Sequence, residues 1–197
     1  MVRIICLLGG YLFGLIQTAY LYGRAHGVDI RKHGSGNAGS TNALRVLGKK
    51  AGLIVLAGDI LKCILAIVAV RIFLPQEYQD SKYLYMLYAA TGAILGHNFP
   101  CYLGFKGGKG IAATIGLVAA FHPSFLVVAL ILFFGAFLTT HYVSLGSLLV
   151  YAGFMVQLVV VGEWGFMNHM DPSKRYEMYV LGAFLTIMAY WKHRENF

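Results

Sequence analysis

Residues 34–48 read GSGNAGSTNALRVLG, and residues 96–110 read GHNFPCYLGFKGGKG. Each is a polar, glycine-laden segment set between apolar runs. Glycine lets the backbone turn successive N–H groups towards one point. Serine, threonine, asparagine, arginine and lysine add further donors. That chemistry suits an oxyanion such as a phosphate, and the apolar runs on either side decide what kind of fold presents it.

Those runs make up most of the chain. Of its 197 residues, 58% are hydrophobic and 12% charged, and the mean hydropathy is +0.67. A soluble domain carries roughly 25% charged residues, so this is a membrane chain. With about 20 apolar residues needed per span, the candidate spans are 1–22, 51–74, 83–95, 111–121, 125–140, 143–161 and 176–191. Between them lie an acidic turn at 75–82, a tight turn at 122–124 and a loop at 162–175. The first run has only Arg3 ahead of it and no clear small-x-small site before Arg24, so it reads as a span rather than a removed leader. The expected fold is an all-α membrane protein with seven transmembrane helices in a single domain, 1–197.

Charge sets the expected orientation. Arg24, Arg31, Lys32, Arg45, Lys49, Lys50, Lys106, Lys109, Lys192 and Arg194 fall on one side of a seven-span chain. Glu77, Asp80, Glu163 and Asp171 fall on the other. The positive-inside rule makes the basic side cytoplasmic, with the N-terminus outside and the C-terminus inside. The net charge of +8 is accounted for by this asymmetry and an anion site, so no nucleic-acid partner is expected. Runs 83–95 and 111–121 are too short to cross about 30 Å as straight helices. They flank the second motif, so the motif loops are expected to be partly re-entrant.

Residues 34–39 formally match G-x-G-x-x-G, but without a βαβ context a dinucleotide fold is excluded. A helix starting near Asn42 would aim its N–H groups and Arg45 at one anion, with Ser35, Gly36, Asn37 and Thr41 in the same stretch. The second motif is not a phosphate loop of the nucleotide-hydrolase type. Leu103 stands where the first glycine belongs, and Gly110 replaces the magnesium-binding hydroxyl. Gly107, Gly108 and Lys109 can still neutralise a phosphate at the start of a helix. His97 reads equally as a structural or a ligand-contacting residue, since no acid within its loop orients it. Asp59 and Lys62, three apart inside a span, read equally as a structural ion pair or as part of the site. Ser144, Ser147, His193 and Asn196 fall on the same side. Cys6, Cys63 and Cys101 have no metal-ligand spacing and read as packing residues; no metal or cofactor is expected.

Three segments, SGNAGSTNALRVLG at 35–48, GHNFPCYLGFKGGKG at 96–110 and YVSLGS at 142–147, together with HREN at 193–196, resemble the bacterial acyl-phosphate glycerol-3-phosphate acyltransferases, the PlsY family. The resemblance covers nearly the whole chain. It implies transfer of an acyl group from acyl phosphate to the 1-hydroxyl of sn-glycerol 3-phosphate, giving lysophosphatidic acid and phosphate. It implies a multi-pass monomer in the bacterial inner membrane with its site facing the cytoplasm. Lys109, Arg45 and Ser35 are the expected catalytic residues. Gly36, Asn37, Thr41, Asn42, His97, Gly107, Gly108, Ser144, Ser147, His193 and Asn196 are the expected substrate contacts. Two features depart from the family pattern. Cys63 stands where the family has glycine after Asp-x-x-Lys, and the tail reaches Phe197 without the family's basic extension.

Both substrates carry phosphate, so Arg45, Lys109 and the glycine-loop amides are expected to offset the repulsion of two anions. Acyl phosphate is already activated, so no protein nucleophile is expected. A transporter of phosphorylated solutes would need polar groups in both halves of the membrane, whereas here they crowd one face. Thioester donors are poorly separated by residues alone; the resemblance favours acyl phosphate.

Overall fold

The computed structural model describes residues 1–194, and among these nine α-helices account for most of the chain. They are α1 (Val2–Gly14), α2 (Thr18–Ala25), α3 (Ser40–Leu47), α4 (Lys49–Phe73), α5 (Lys82–Asn98), α6 (Ile111–Phe121), α7 (Pro123–Thr140), α8 (Val143–Trp164) and α9 (Pro172–His193). Among the described residues, four stretches are long and apolar enough to cross a membrane: Val2–Ala25, Lys49–Phe73, Pro123–Thr140 and Val143–Trp164.

The closest helix packing is between α1 and α5, and its cause is legible in four glycines. A Cβ on Gly10 would stand 1.9 Å from the Ala89 carbonyl oxygen, and one on Gly14 2.3 Å from that of Ala93. Conversely, a Cβ on Gly92 would stand 2.0 Å from the Leu7 oxygen, and one on Gly96 2.3 Å from that of Tyr11. Gly10 and Gly14, and Gly92 and Gly96, are both spaced small-xxx-small. In a membrane, where apolar burial gives helices no net attraction, such spacing lets backbones touch and dispersion act. The contacts advance together along both helices, so α1 and α5 run parallel. The segments leaving the C-terminal ends of these two helices therefore emerge at one end of the molecule.

The other helices alternate. Gly116 of α6 lies against Ile60 of α4, and Gly146 of α8 against Phe133 of α7. Gly182 of α9 packs on Leu158 of α8. At the end opposite the motifs, Arg3 binds Glu177 through two hydrogen bonds of 2.6 and 2.8 Å, and Tyr88 also bonds Glu177. That tie makes α1, α5 and α9 mutually parallel. Residues 26–48, 99–110, 141–147 and 192–194 consequently share one end.

Three boundaries differ from the sequence reading. The first run is not one helix: it breaks at Leu15–Gln17, between α1 and α2. The carbonyls freed there are all satisfied. Tyr102 Oη donates to Leu15 O (2.7 Å), Lys62 Nζ to Ile16 O (2.8 Å) and Gln17 Nε2 to Gly14 O (3.2 Å). Such repair is what makes a break tolerable at depth. Residues 122–124 are no separate turn; His122 caps α7 by accepting from the Ser124 N–H, with Pro123 in the first turn. Gly96, His97 and Asn98 belong to the last turn of α5 rather than to a loop.

Candidate active site

The first motif is a loop wrapped around one amide. Asn42 is 2% exposed. Its Oδ1 accepts from the Ser35 N–H (2.9 Å), and its Nδ2 donates to the carbonyls of Ile30 (3.1 Å), His33 (3.0 Å) and Asn37 (3.1 Å). All four bonds are internal to the protein, so Asn42 shapes the loop. A small apolar cluster of Ala19, Ile30, Ala38, Ala43, Ala51 and Val55 pins the same loop to α2 and α4. Gly36, at φ +69°, supplies a left-handed turn that a side chain would strain. Asp29 opens the loop: its carboxylate takes the Arg31 guanidinium through two bonds of 3.0 and 2.9 Å. That pairing holds the Asp29 carboxyl down at about 2. Arg31 also stacks on the Tyr20 ring, 4.8 Å from its centroid, so its charge is already committed.

Helix α3 begins at Ser40, two residues before the expected start, with Gly39 as a cap that brings no side-chain bond. The first-turn N–H groups of an uncapped helix point outward and carry partial positive charge. Ser35, Thr41 and Arg45 are exposed on this surface, and Asn37 is half-buried.

The second motif folds back onto the end of α5. The Gly107 N–H donates to Asn98 O (3.2 Å) and the Gly108 N–H to His97 O (3.1 Å). These two amides, expected to face a phosphate, are instead used to close the turn. Lys109 comes next, half-buried, with only Gly110 between it and α6. It lies within electrostatic reach of Lys192 and His193 at the end of α9. The two motifs meet at Ala38, whose carbonyl oxygen is 3.1 Å from where a Cβ on Gly108 would sit. Beside that meeting point a cleft of about 270 Å³ is lined by Asp29, Arg31, Lys32, Gly36, Lys106 and Gly107.

Beneath the second motif is a buried polar cluster whose role the sequence alone leaves open. Lys62 Nζ is 2.9 Å from Asp59 Oδ1 and 2.8 Å from His97 Nδ1. Asp59 Oδ1 also accepts from Thr18 Oγ1 (3.2 Å) and lies 3.6 Å from His97 Nδ1. His97 therefore does have an acid beside it, supplied by α4 rather than by its own loop. At 2% exposure the ring is packed under the motif and is not a surface contact. Gln17 Nε2 joins in, donating to the carbonyls of Gly96 (3.0 Å) and His97 (3.1 Å).

Ser144 lies half-buried in the first turn of α8. Ser147 is buried and donates back to Val143 O at 2.8 Å. His193 is buried, its Nδ1 donating to Ala189 O at 2.8 Å, which leaves Nε2 of a neutral ring as an acceptor. Lys192 donates to Asn98 O (3.2 Å), tying α9 to the second motif. Asn196 lies outside the described residues.

This arrangement has close counterparts. The family model for glycerol-3-phosphate acyltransferase matches residues 4–197. The glycerol-3-phosphate acyltransferase of Halalkalibacterium halodurans is 39% identical over 191 residues, covering 96% of this chain and 87% of that protein. That of Clostridioides difficile is 38% identical over 187 residues, covering 94% and 85%. Two crystal structures of PlsY, an integral membrane glycerol 3-phosphate acyltransferase, are similar over 100% of this chain and 90% of theirs. Its glycerol 3-phosphate form gives a TM-score of 0.78 at 33% identity, and its lysophosphatidic acid form 0.80 at 30%. With a whole-chain family match, shared fold and shared motifs, this integral membrane chain belongs to the glycerol-3-phosphate acyltransferase family, the PlsY family.

Proposed function

We propose that this chain transfers an acyl group from acyl phosphate to the 1-hydroxyl of sn-glycerol 3-phosphate, the first acylation of phospholipid synthesis. The observation that carries the reading is the parallel packing of α1 on α5, which brings both phosphate-suited motifs to one end of the bundle. The glycerol 3-phosphate and lysophosphatidic acid forms of the PlsY relative supply the substrate and product classes.

The chain forms one domain with seven membrane crossings, α1 and α2 making up the first. The motif end faces the cytoplasm of a bacterial inner membrane, and the N-terminus lies outside. The concentration of arginine and lysine at the motif end supports this orientation. Helix α6 has 11 residues, about 17 Å at 1.5 Å per residue, so the second motif dips below the headgroup level to meet it.

At the site, Lys109, Arg45 and the first-turn N–H groups of α3 bind the two phosphates, with Ser35, Thr41 and Ser144 as hydroxyl donors. The glycerol 1-oxygen attacks the acyl carbonyl carbon directly. The new ester C–O bond forms as the C–O bond to phosphate breaks, and the hydroxyl proton passes to a phosphate oxygen. Because phosphate is a good leaving group, the protein supplies charge neutralisation and orientation rather than a nucleophile. The buried Lys62–Asp59 pair and the ring of His97 are beneath the motif, away from this chemistry.

The test is purified protein with glycerol 3-phosphate and, in separate reactions, acyl phosphate, acyl-coenzyme A and acyl carrier protein thioester. Lysophosphatidic acid is expected with acyl phosphate alone. Equal or better turnover with a thioester would replace the donor assignment. Uptake of glycerol 3-phosphate into sealed vesicles without lipid product would replace the enzyme reading with a transporter.

A further inference from the structure

We infer that the buried cluster of Asp59, Lys62 and His97 is the positioning device for Lys109, with His97 as the part that meets the turn. This rests on the reading of Lys109 as a phosphate-binding cation.

An ammonium has three protons and no lone pair. Lys62 Nζ has three acceptors in reach: Ile16 O (2.8 Å), Asp59 Oδ1 (2.9 Å) and His97 Nδ1 (2.8 Å). His97 Nδ1 is therefore an acceptor, and the ring carries its proton on Nε2. That same nitrogen lies directly under the turn: a Cβ on Gly108 would stand 2.1 Å from it. The His97 carbonyl holds the Gly108 N–H from the other side at 3.1 Å. Gly110, on the far side of Lys109, is pressed on the Asn98 amide, where a Cβ would be 2.9 Å from Oδ1. Both neighbours of Lys109 thus rest on the last turn of α5, and neither has room for a side chain.

The cluster also reaches segments on both sides of the first motif. Through Ile16 O and Thr18 it grips the break between α1 and α2, from which the first motif descends. Lys62 and Asp59 belong to α4, which comes directly after that motif. Next to His97, the Asn98 carbonyl accepts from Lys192 Nζ of α9. A charged pair at 1–2% exposure is costly in a membrane interior and is kept where a geometry must be unique.

Two variants test the contact. Gly108→Ala is expected to lower kcat/KM for glycerol 3-phosphate by about 10²-fold, the scale of a 1 Å misplacement. His97→Asn keeps an acceptor for Lys62 near the Nδ1 position and removes the colliding Nε2 atom. Combining it with Gly108→Ala is expected to restore about tenfold of the lost activity, a suppression that two merely structural defects would not show. A double variant no more active than Gly108→Ala alone would overturn the proposal.

A second cycle pairs His97→Asn with Lys109→Gln, with thermal unfolding in detergent recorded alongside. If His97 acts through Lys109, it lowers turnover in the wild-type background and adds no further loss to Lys109→Gln. The same loss in both backgrounds would also overturn the positioning role. Wild-type turnover in Lys109→Gln would instead overturn the reading of Lys109 itself, so the two failures are told apart.

Discussion

Replacing Gly14 by alanine tests the contact on which the convergence of the motifs depends. The new Cβ would lie 2.3 Å from Ala93 O and 2.9 Å from Gly96 Cα, both backbone atoms that no rotamer change can move. Ordinary contact begins at 3.4 Å, so α1 and α5 must separate locally by about 1 Å, forfeiting part of the dispersion that holds them. Overpacking of this kind costs about 1–3 kcal/mol, against roughly 0.5–1 kcal/mol gained by putting alanine for glycine in a helix. The two magnitudes leave a net loss of about 0–2.5 kcal/mol, centred on about 1 kcal/mol. The effect on catalysis is larger. The same shift moves the break at Leu15–Gln17 relative to the last turn of α5, and a misplacement near 1 Å costs about 10²-fold in rate. Gly9→Ala is the control, because a Cβ there meets nothing within 4 Å. Thermal unfolding and turnover in the same detergent should show a lower midpoint and depressed rate for Gly14→Ala only. If Gly14→Ala matched Gly9→Ala in both measurements, the backbone contact would not be what aligns the motifs.

Three further outcomes are expected. Arg45→Ala and Lys109→Ala should each lower turnover by about 10²–10³-fold, the scale of one lost transition-state donor, with unchanged unfolding midpoints; near wild-type rates in both would remove the assignment. Asn42→Ala strips partners from the Ser35 N–H and three carbonyls. At about 1 kcal/mol per hydrogen bond it should cost about 2–4 kcal/mol and open residues 30–40 to proteolysis, and resistance equal to wild type would argue against the loop's dependence on that amide. The Asp29 carboxyl is held at about 2 by its bonds to Arg31, below the unfolded value near 3.9. A depressed pKa contributes stability that is present above the unfolded value and lost as pH falls through the folded one. Protection of the Arg31 amide, corrected for intrinsic exchange, should therefore hold from pH 7 to about 4, fall towards pH 2, and lose this dependence in Asp29→Asn. A pH-independent protection in the wild-type chain would refute it.

Much of this molecule is readable from sequence, and the limit of legibility has a physical cause. Apolar length located the helices from α4 to α9 to within a few residues, because lipid solvation acts on composition. The break in the first run was not located, although Gln17 stands in it. A single amide in an apolar run is compatible with an unbroken helix unless partners exist for the freed carbonyls. Those partners, Lys62 and Tyr102, come from distant segments. His97 had no visible acid for the same reason: Asp59 reaches it across the α4–α5 interface.

The glycine motifs carry the same lesson further. Composition identified both stretches as rich in donors, but it could not say which way a donor points. In residues 107–108 the N–H groups turn inward to α5, and in the first motif the Ser35 N–H is taken by Asn42, whose amide also donates to the carbonyls of Ile30, His33 and Asn37. Close packing on the last turn of α5 is enough to require glycine in the second motif: Gly107 lies on the His97 carbonyl, Gly108 on the His97 ring and Gly110 on the Asn98 amide. The donors proposed for the phosphates are then Lys109, Arg45 and the uncapped start of α3. A site for a phosphate ester gains more from rigidly placed full charges than from many neutral amides. The inward-facing glycines are what make that placement rigid.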